Sequence, residues 1–103
     1  MTHSYLLVIS EGNIRRVDSD GPITGTEIRI RLGGEFESFE WEALNLVLTV
    51  CFNSGGAQLG LPTNRKFKGK CGDVLIGVYE RGTFRGLTDE EFQALLNFIS
   101  DSL

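Results

Sequence analysis

Every lysine of this chain falls in one short run, TNRKFKGKCGD, from Thr63 to Asp73. Lys66, Lys68 and Lys70 stand there with Arg65 beside them and Phe67 between. Four cations around one ring can grip phosphates while the ring stacks on a base. The run also approaches the phosphate-loop pattern G-x-x-x-x-G-K-[ST]. Gly69 and Lys70 fit it, but Asn64 replaces the first glycine and Cys71 the Ser/Thr that would hold magnesium. That loop must also open a helix whose N-terminus faces the anion, and here the apolar strand-like run DVLIGVYE follows. Two mismatches and the wrong context reject nucleotide binding. A solvated loop that keeps the chain soluble is the plain reading of the run, and a protein-contact loop is the functional one.

A second stretch, RVDSDGPITGTE from Arg16 to Glu27, imitates a calcium loop. Asp18, Asp20, Gly21, Ile23 and Glu27 fall at the correct offsets. Arg16, a cation, occupies the first ligand position, and strands rather than helices are expected on both sides. Asp and Gly are also ordinary turn residues. No metal or other cofactor is assigned; Asp18, Asp20 and Glu27 would be the ligands if a metal bound.

Catalytic constellations are thin. The single histidine, His3, lies at a terminus. A Cys–His pair would need it to meet Cys71, and a serine triad would need the same imidazole. No Cys/His spacing matches a zinc site. Cys51, in LTVCF, reads as a small buried hydrophobe. Glu40 and Glu42 stand at i, i+2, which do not face each other on a helix. The chain is therefore expected not to be an enzyme.

The charge map carries more. Formal net charge is -4, which argues against a general nucleic-acid binder. No acid occurs from Ala43 to Gly72, whereas Glu35, Glu37, Glu40 and Glu42 cluster just before that interval. After Arg85 no base occurs, and Asp89, Glu90, Glu91 and Asp101 follow. If these poles stay apart in space, the surface is dipolar and suits a charged protein partner or head-to-tail self-association.

The elements that must position these groups read as strands, helix, strands, helix. SYLLVIS and IRRV form a hairpin around EGN. DSDGPITG is a loop. TEIRIRL reads as a strand, with Ile28, Ile30 and Leu32 on one side and Glu27, Arg29 and Arg31 on the other. A helix is expected from about Phe39 to Phe52, with Ser38 as N-cap, Glu40 and Glu42 in its first turn and Asn53–Gly56 as its stop. Its second half is apolar nearly all round, so it is buried on two sides or meets a second subunit. LNLVLTV also alternates, which keeps a strand as the alternative. DVLIGVYE is a strand that RGTFRG turns into a short partner. LTDEEFQALLNFISDSL is a helix with a capping box, Thr88 and Glu91, and an apolar stripe of Phe92, Leu95, Leu96 and Ile99.

At 103 residues and 41% hydrophobic content, one domain (1–103) with a real core is expected. The fold class is α+β: a small antiparallel sheet of about five strands with two helices packed on one face. Two cysteines are too few for a disulfide scaffold, the N-terminal apolar run is too short for a signal peptide, and no stretch approaches the roughly 20 apolar residues of a membrane span. A cytoplasmic location with reduced thiols follows.

These observations point to a small non-enzymatic interaction protein: an inhibitor, immunity-type factor or adaptor that masks a protein partner. Its contact residues would be Arg65, Lys66, Phe67, Lys68 and Lys70 on the basic loop and Glu35, Glu37, Glu40 and Glu42 on the acidic cluster. A homodimer is expected from the apolar segment ALNLVLTVCF. The alternative is a nucleic-acid-binding module that uses the loop Arg65–Lys70, aided by Arg29 and Arg31.

Overall fold

The computed structural model describes residues 2–102. The first hairpin joins β1 (His3–Val8) to β2 (Ile14–Ser19), as its alternating pattern predicts. The last elements also follow the sequence: β5 (Val74–Glu80), the short β6 (Thr83–Arg85) and α2 (Asp89–Ser102). The capping box of α2 is formed. The Glu91 amide donates to Thr88 Oγ1 at 3.1 Å, and the Thr88 amide donates to Glu91 Oε1 at 2.9 Å.

Two segments exchange conformation relative to expectation. TEIRIRL is not a strand but lies in a helix, α1 (Gly25–Leu32). Thr24 caps it by accepting from the Glu27 amide at 3.2 Å, and the amides of Gly33 and Gly34 both close on the Arg29 carbonyl. Gly33 sits at φ 81, a left-handed cap that glycine adopts without a Cβ clash. The alternation of Ile28, Ile30 and Leu32 is misleading. On a helix Ile28 and Leu32 are one turn apart and both buried, while Ile30 is 75% exposed.

The expected helix from Phe39 to Phe52 is instead a hairpin, β3 (Phe36–Ala43) and β4 (Leu46–Asn53). Leu44 and Asn45 make the two-residue turn between them, with φ of 56 and 62. A type I′ turn demands positive φ at both central positions, and its right-handed twist matches that of the strands. Ser38 is thus a strand residue and not an N-cap. The apolar surplus of ALNLVLTVCF is covered only in part: Leu48 and Val50 are fully buried and Cys51 nearly so, while Leu44 and Val47 stay exposed.

The strands form one antiparallel sheet in the order β2-β1-β5-β4-β3, with β6 added to β5. The fold is α+β with two helices, as expected, but the helices do not share a face. Leu6, Val8, Leu48, Val50, Val74 and Ile76 pack with Leu95 and Ile99 of α2. Tyr5, Leu7, Val17, Cys51 and Leu75 pack with Ile28 and Leu32 of α1 on the opposite side. The physical reason lies in the central strands. β1, β4 and β5 carry apolar residues at consecutive positions, so both of their faces must be covered.

Gly77 lets β5 pass beneath an aromatic pair. A Cβ there would lie 2.7 Å from the Phe84 ring and 2.8 Å from that of Tyr5. The Tyr5 hydroxyl donates to the Phe84 carbonyl and accepts from the Ile23 amide, which anchors the loop before α1. Among the described residues no helix is long and apolar enough to cross a membrane.

Candidate interaction surface

The basic loop between β4 and β5 is built on Asn64, which is 1% exposed. Its amide nitrogen donates to the carbonyls of Val8 and Gly72, both at 3.0 Å. Its carbonyl oxygen accepts from the amides of Lys66 at 2.9 Å and Phe67 at 3.0 Å. Its own backbone amide closes the loop onto the Lys70 carbonyl. The residue that breaks the phosphate-loop pattern is therefore the one that shapes this loop. It holds an asparagine-centred turn rather than an anion cradle.

That turn folds Phe67 inward. Phe67 is only 9% exposed and meets Trp41 edge-on, with ring centroids 5.4 Å apart, inside the α2-side core. The expectation that Phe67 offers an exposed contact or a stacking platform is thereby corrected. Lys70 is half-buried, with its ammonium 4.1 Å from the Phe52 ring centroid and 5.4 Å from that of Phe39. Lys66 is half-buried as well, whereas Arg65 and Lys68 are exposed. Arg29 and Arg31 belong to α1 rather than to a sheet face, and Arg31 shares a groove with Pro62, Gly72 and Asp73 at the base of the loop.

Of the acidic residues, Glu37, Glu40 and Glu42 lie along β3 and Glu35 just ahead of it; all four are exposed. β3 pairs only with β4, so it forms one edge of the sheet. On a strand, i and i+2 share a face, so Glu40 and Glu42 stand side by side, about 7 Å apart along the chain. The helical argument that separated them does not apply. Glu37 points to the α2 side with Phe39 and Trp41. Glu35 meets Arg29 at 3.1 Å.

Folding interleaves much of the charge that is segregated in sequence. Arg16 binds Asp18 and Asp89, and Arg85 binds Glu80 and Glu91. The acids after Arg85 are thus partly neutralised by bases from elsewhere. Arg85 holds the Glu91 carboxyl below its usual range. Ser4 and Arg16 do the same for Asp18. Lys70 also brings the basic loop against Phe39 and Phe52 of the β3–β4 hairpin.

The remaining chemical candidates do not assemble. Asp18 lies in β2, bonded to Ser4 and Arg16, while Glu27 lies in α1. Among the described residues no group of three or more His, Cys, Asp or Glu could hold a metal. His3 begins β1, and its Nδ1 accepts from the Gly86 amide. Cys71 precedes Val74, which pairs with Val8 at the other end of β1. The strand between spans roughly 17 Å, so imidazole and thiol do not meet. Cys51 is buried, and burial raises its thiol to about 11.

Sequence reading missed the open part of the α1 face. Helix α1 has only eight residues and leaves part of that face open. Beyond it, Val47 is 47% and Tyr79 61% exposed. A groove of about 260 Å³ runs between α1 and β6, floored by Thr49 and Cys51 and bounded by Phe36, Tyr79 and Phe84. A second groove shares Ser38, Thr49 and Tyr79 with it and reaches Glu40. Together they lead from the sheet interior to the β3 edge. The exposure of Tyr79 depends on the shortness of α1, which only a correct assignment of TEIRIRL would have revealed.

No protein-family model, curated protein or solved structure gives a significant match to this chain.

Proposed function

We propose that this chain is a small non-enzymatic interaction protein that binds and masks a protein partner through a charged surface. The observation that carries this reading is the β3 side of the sheet. An edge strand carrying three carboxylates borders a face on which Tyr79 and Val47 are exposed. Aromatic and aliphatic groups beside a charged rim are the composition of a protein contact surface. Arg65 and Lys68 on the basic loop make a second, smaller contact region. The nucleic-acid alternative loses its stacking ring, because Phe67 belongs to the core.

Capture from a lysate of the source organism, by cross-linking, tests this reading. The baits are the wild type, Arg65→Glu/Lys68→Glu and Glu40→Gln/Glu42→Gln. A protein held by the wild type and lost with one of the two variants supports the reading and locates the contact. Identical captures with all three baits, or RNA as the only retained species, would overturn it.

A further inference from the structure

Resting on that reading, we propose that the free edge of β3 accepts an extended basic segment of the partner as an added strand. An edge strand offers a row of backbone donors and acceptors that a second chain can complete. Here the row runs through eight residues, Phe36–Ala43, without proline or positive φ.

The side chains select the occupant. Glu40 and Glu42 project on the α1 face, cross-strand from Thr49 and Val47. Glu37 projects on the α2 face, cross-strand from Phe52. An added strand places its alternate residues beside each of these faces. Lys or Arg at i and i+2 would lie beside Glu40 and Glu42. The intervening residue would lie on the face of the half-buried Phe39 and Trp41, which favours an apolar side chain. The recognised chemistry is thus an extended segment with cations on one face and apolar groups on the other. A second copy of β3 would bring only further carboxylates to this edge and no cation for Glu40 and Glu42. The carboxylates of this edge select a basic partner.

The probe is a capped ten-residue peptide of alternating lysine and valine, titrated into the ¹⁵N-labelled protein at low salt. Two further peptides carry backbone N-methyl groups on all lysines or on all valines. Methylation removes one edge's hydrogen bonds and leaves the charge intact. Strand addition predicts amide shifts centred on 36–43 and at least tenfold weaker binding for one methylated peptide only. Glu40→Gln/Glu42→Gln, a near-isosteric change at exposed positions, should also weaken binding at least tenfold. Equal affinity of all three peptides, shifts centred elsewhere, or no binding at low salt would overturn the proposal. If the peptide fails while lysate capture still yields a protein partner lost with Arg65→Glu/Lys68→Glu, strand addition falls and the interaction reading stands. If no specific protein is captured either, both fall.

Discussion

The ammonium of Lys70 stands 4.1 Å from the centroid of the Phe52 ring. A loop cation thus serves as a packing group, its stem and head lying against the β3–β4 hairpin. Lys70→Ala is expected to destabilise the protein by about 1 kcal/mol. Lys68→Ala, at an exposed position, should stay within about 0.5 kcal/mol of the wild type. Urea unfolding of the two variants checks the contrast, and equal midpoints would remove the packing role of Lys70.

Asn64 carries the loop. Asn64→Ala strands the Val8 and Gly72 carbonyls and frees two amides, so a loss of about 3 kcal/mol is expected. Asn64→Asp restores the acceptor but not the donors and should rescue the protein only in part. Hydrogen exchange at the amides of Lys66 and Phe67 should be faster in Asn64→Ala than in Asn64→Asp. A wild-type exchange pattern in Asn64→Ala would show that the turn forms without its side chain.

Gly77 lies under Phe84 and Tyr5, too close for a methyl group. Gly77→Ala should cost about 1–3 kcal/mol through overpacking. Truncating the ring with Phe84→Leu should be less harmful in the Gly77→Ala background than alone. Strict additivity of the two substitutions in thermal or urea unfolding would contradict this contact.

Glu91 titrates below its ordinary range in the folded state because Arg85 pairs with its carboxylate and the Thr88 amide donates to it. The unfolded chain therefore binds this proton at higher pH than the folded one. The resulting stability is present above the unfolded value, about 4.3, and is lost as pH falls through the folded one. Glu91→Gln should flatten the acid side of the stability–pH curve while leaving the neutral region nearly parallel. An unchanged acid limb would assign the acid sensitivity to other groups.

What was legible in the sequence differs between the ends and the middle of the chain. α2 was readable because its start signal agrees with its stripe. Thr88 and Glu91 form the box, and Leu95 and Ile99 fill the core. α1 carried a similar signal, Thr24 with Glu27, followed by two glycines. The alternation of Ile28, Ile30 and Leu32 outweighed it, because over a short segment periods of 2 and 3.6 coincide at i+4. The β3–β4 hairpin was hidden by its turn. Leu44–Asn45 lacks the glycine that usually announces positive φ, and the glutamates ahead of it imitate a helix start.

The candidate surface was legible as composition and not as geometry. Glu37, Glu40 and Glu42 were visible as an acidic cluster, but their value depends on β3 being an edge strand. Phe67 read as exposed because its neighbours are charged; the Asn64 turn directs it inward. Tyr79 drew no attention because its exposure follows from what fails to cover it.

By itself the sequence determined the α+β class, the two flanking hairpins, the capped last helix and the locations of charge. These follow from local patterns, caps and turns, which act over a few residues. Only the tertiary structure decided which ambiguous segment became helix and which became sheet. It also set the helices on opposite faces, buried Phe67, paired Asp89 and Glu91 with arginines and left β3 at the edge. Each of those outcomes depends on partners far apart in the chain, such as Arg16 with Asp89 or Val50 with Ile76, which no local period encodes.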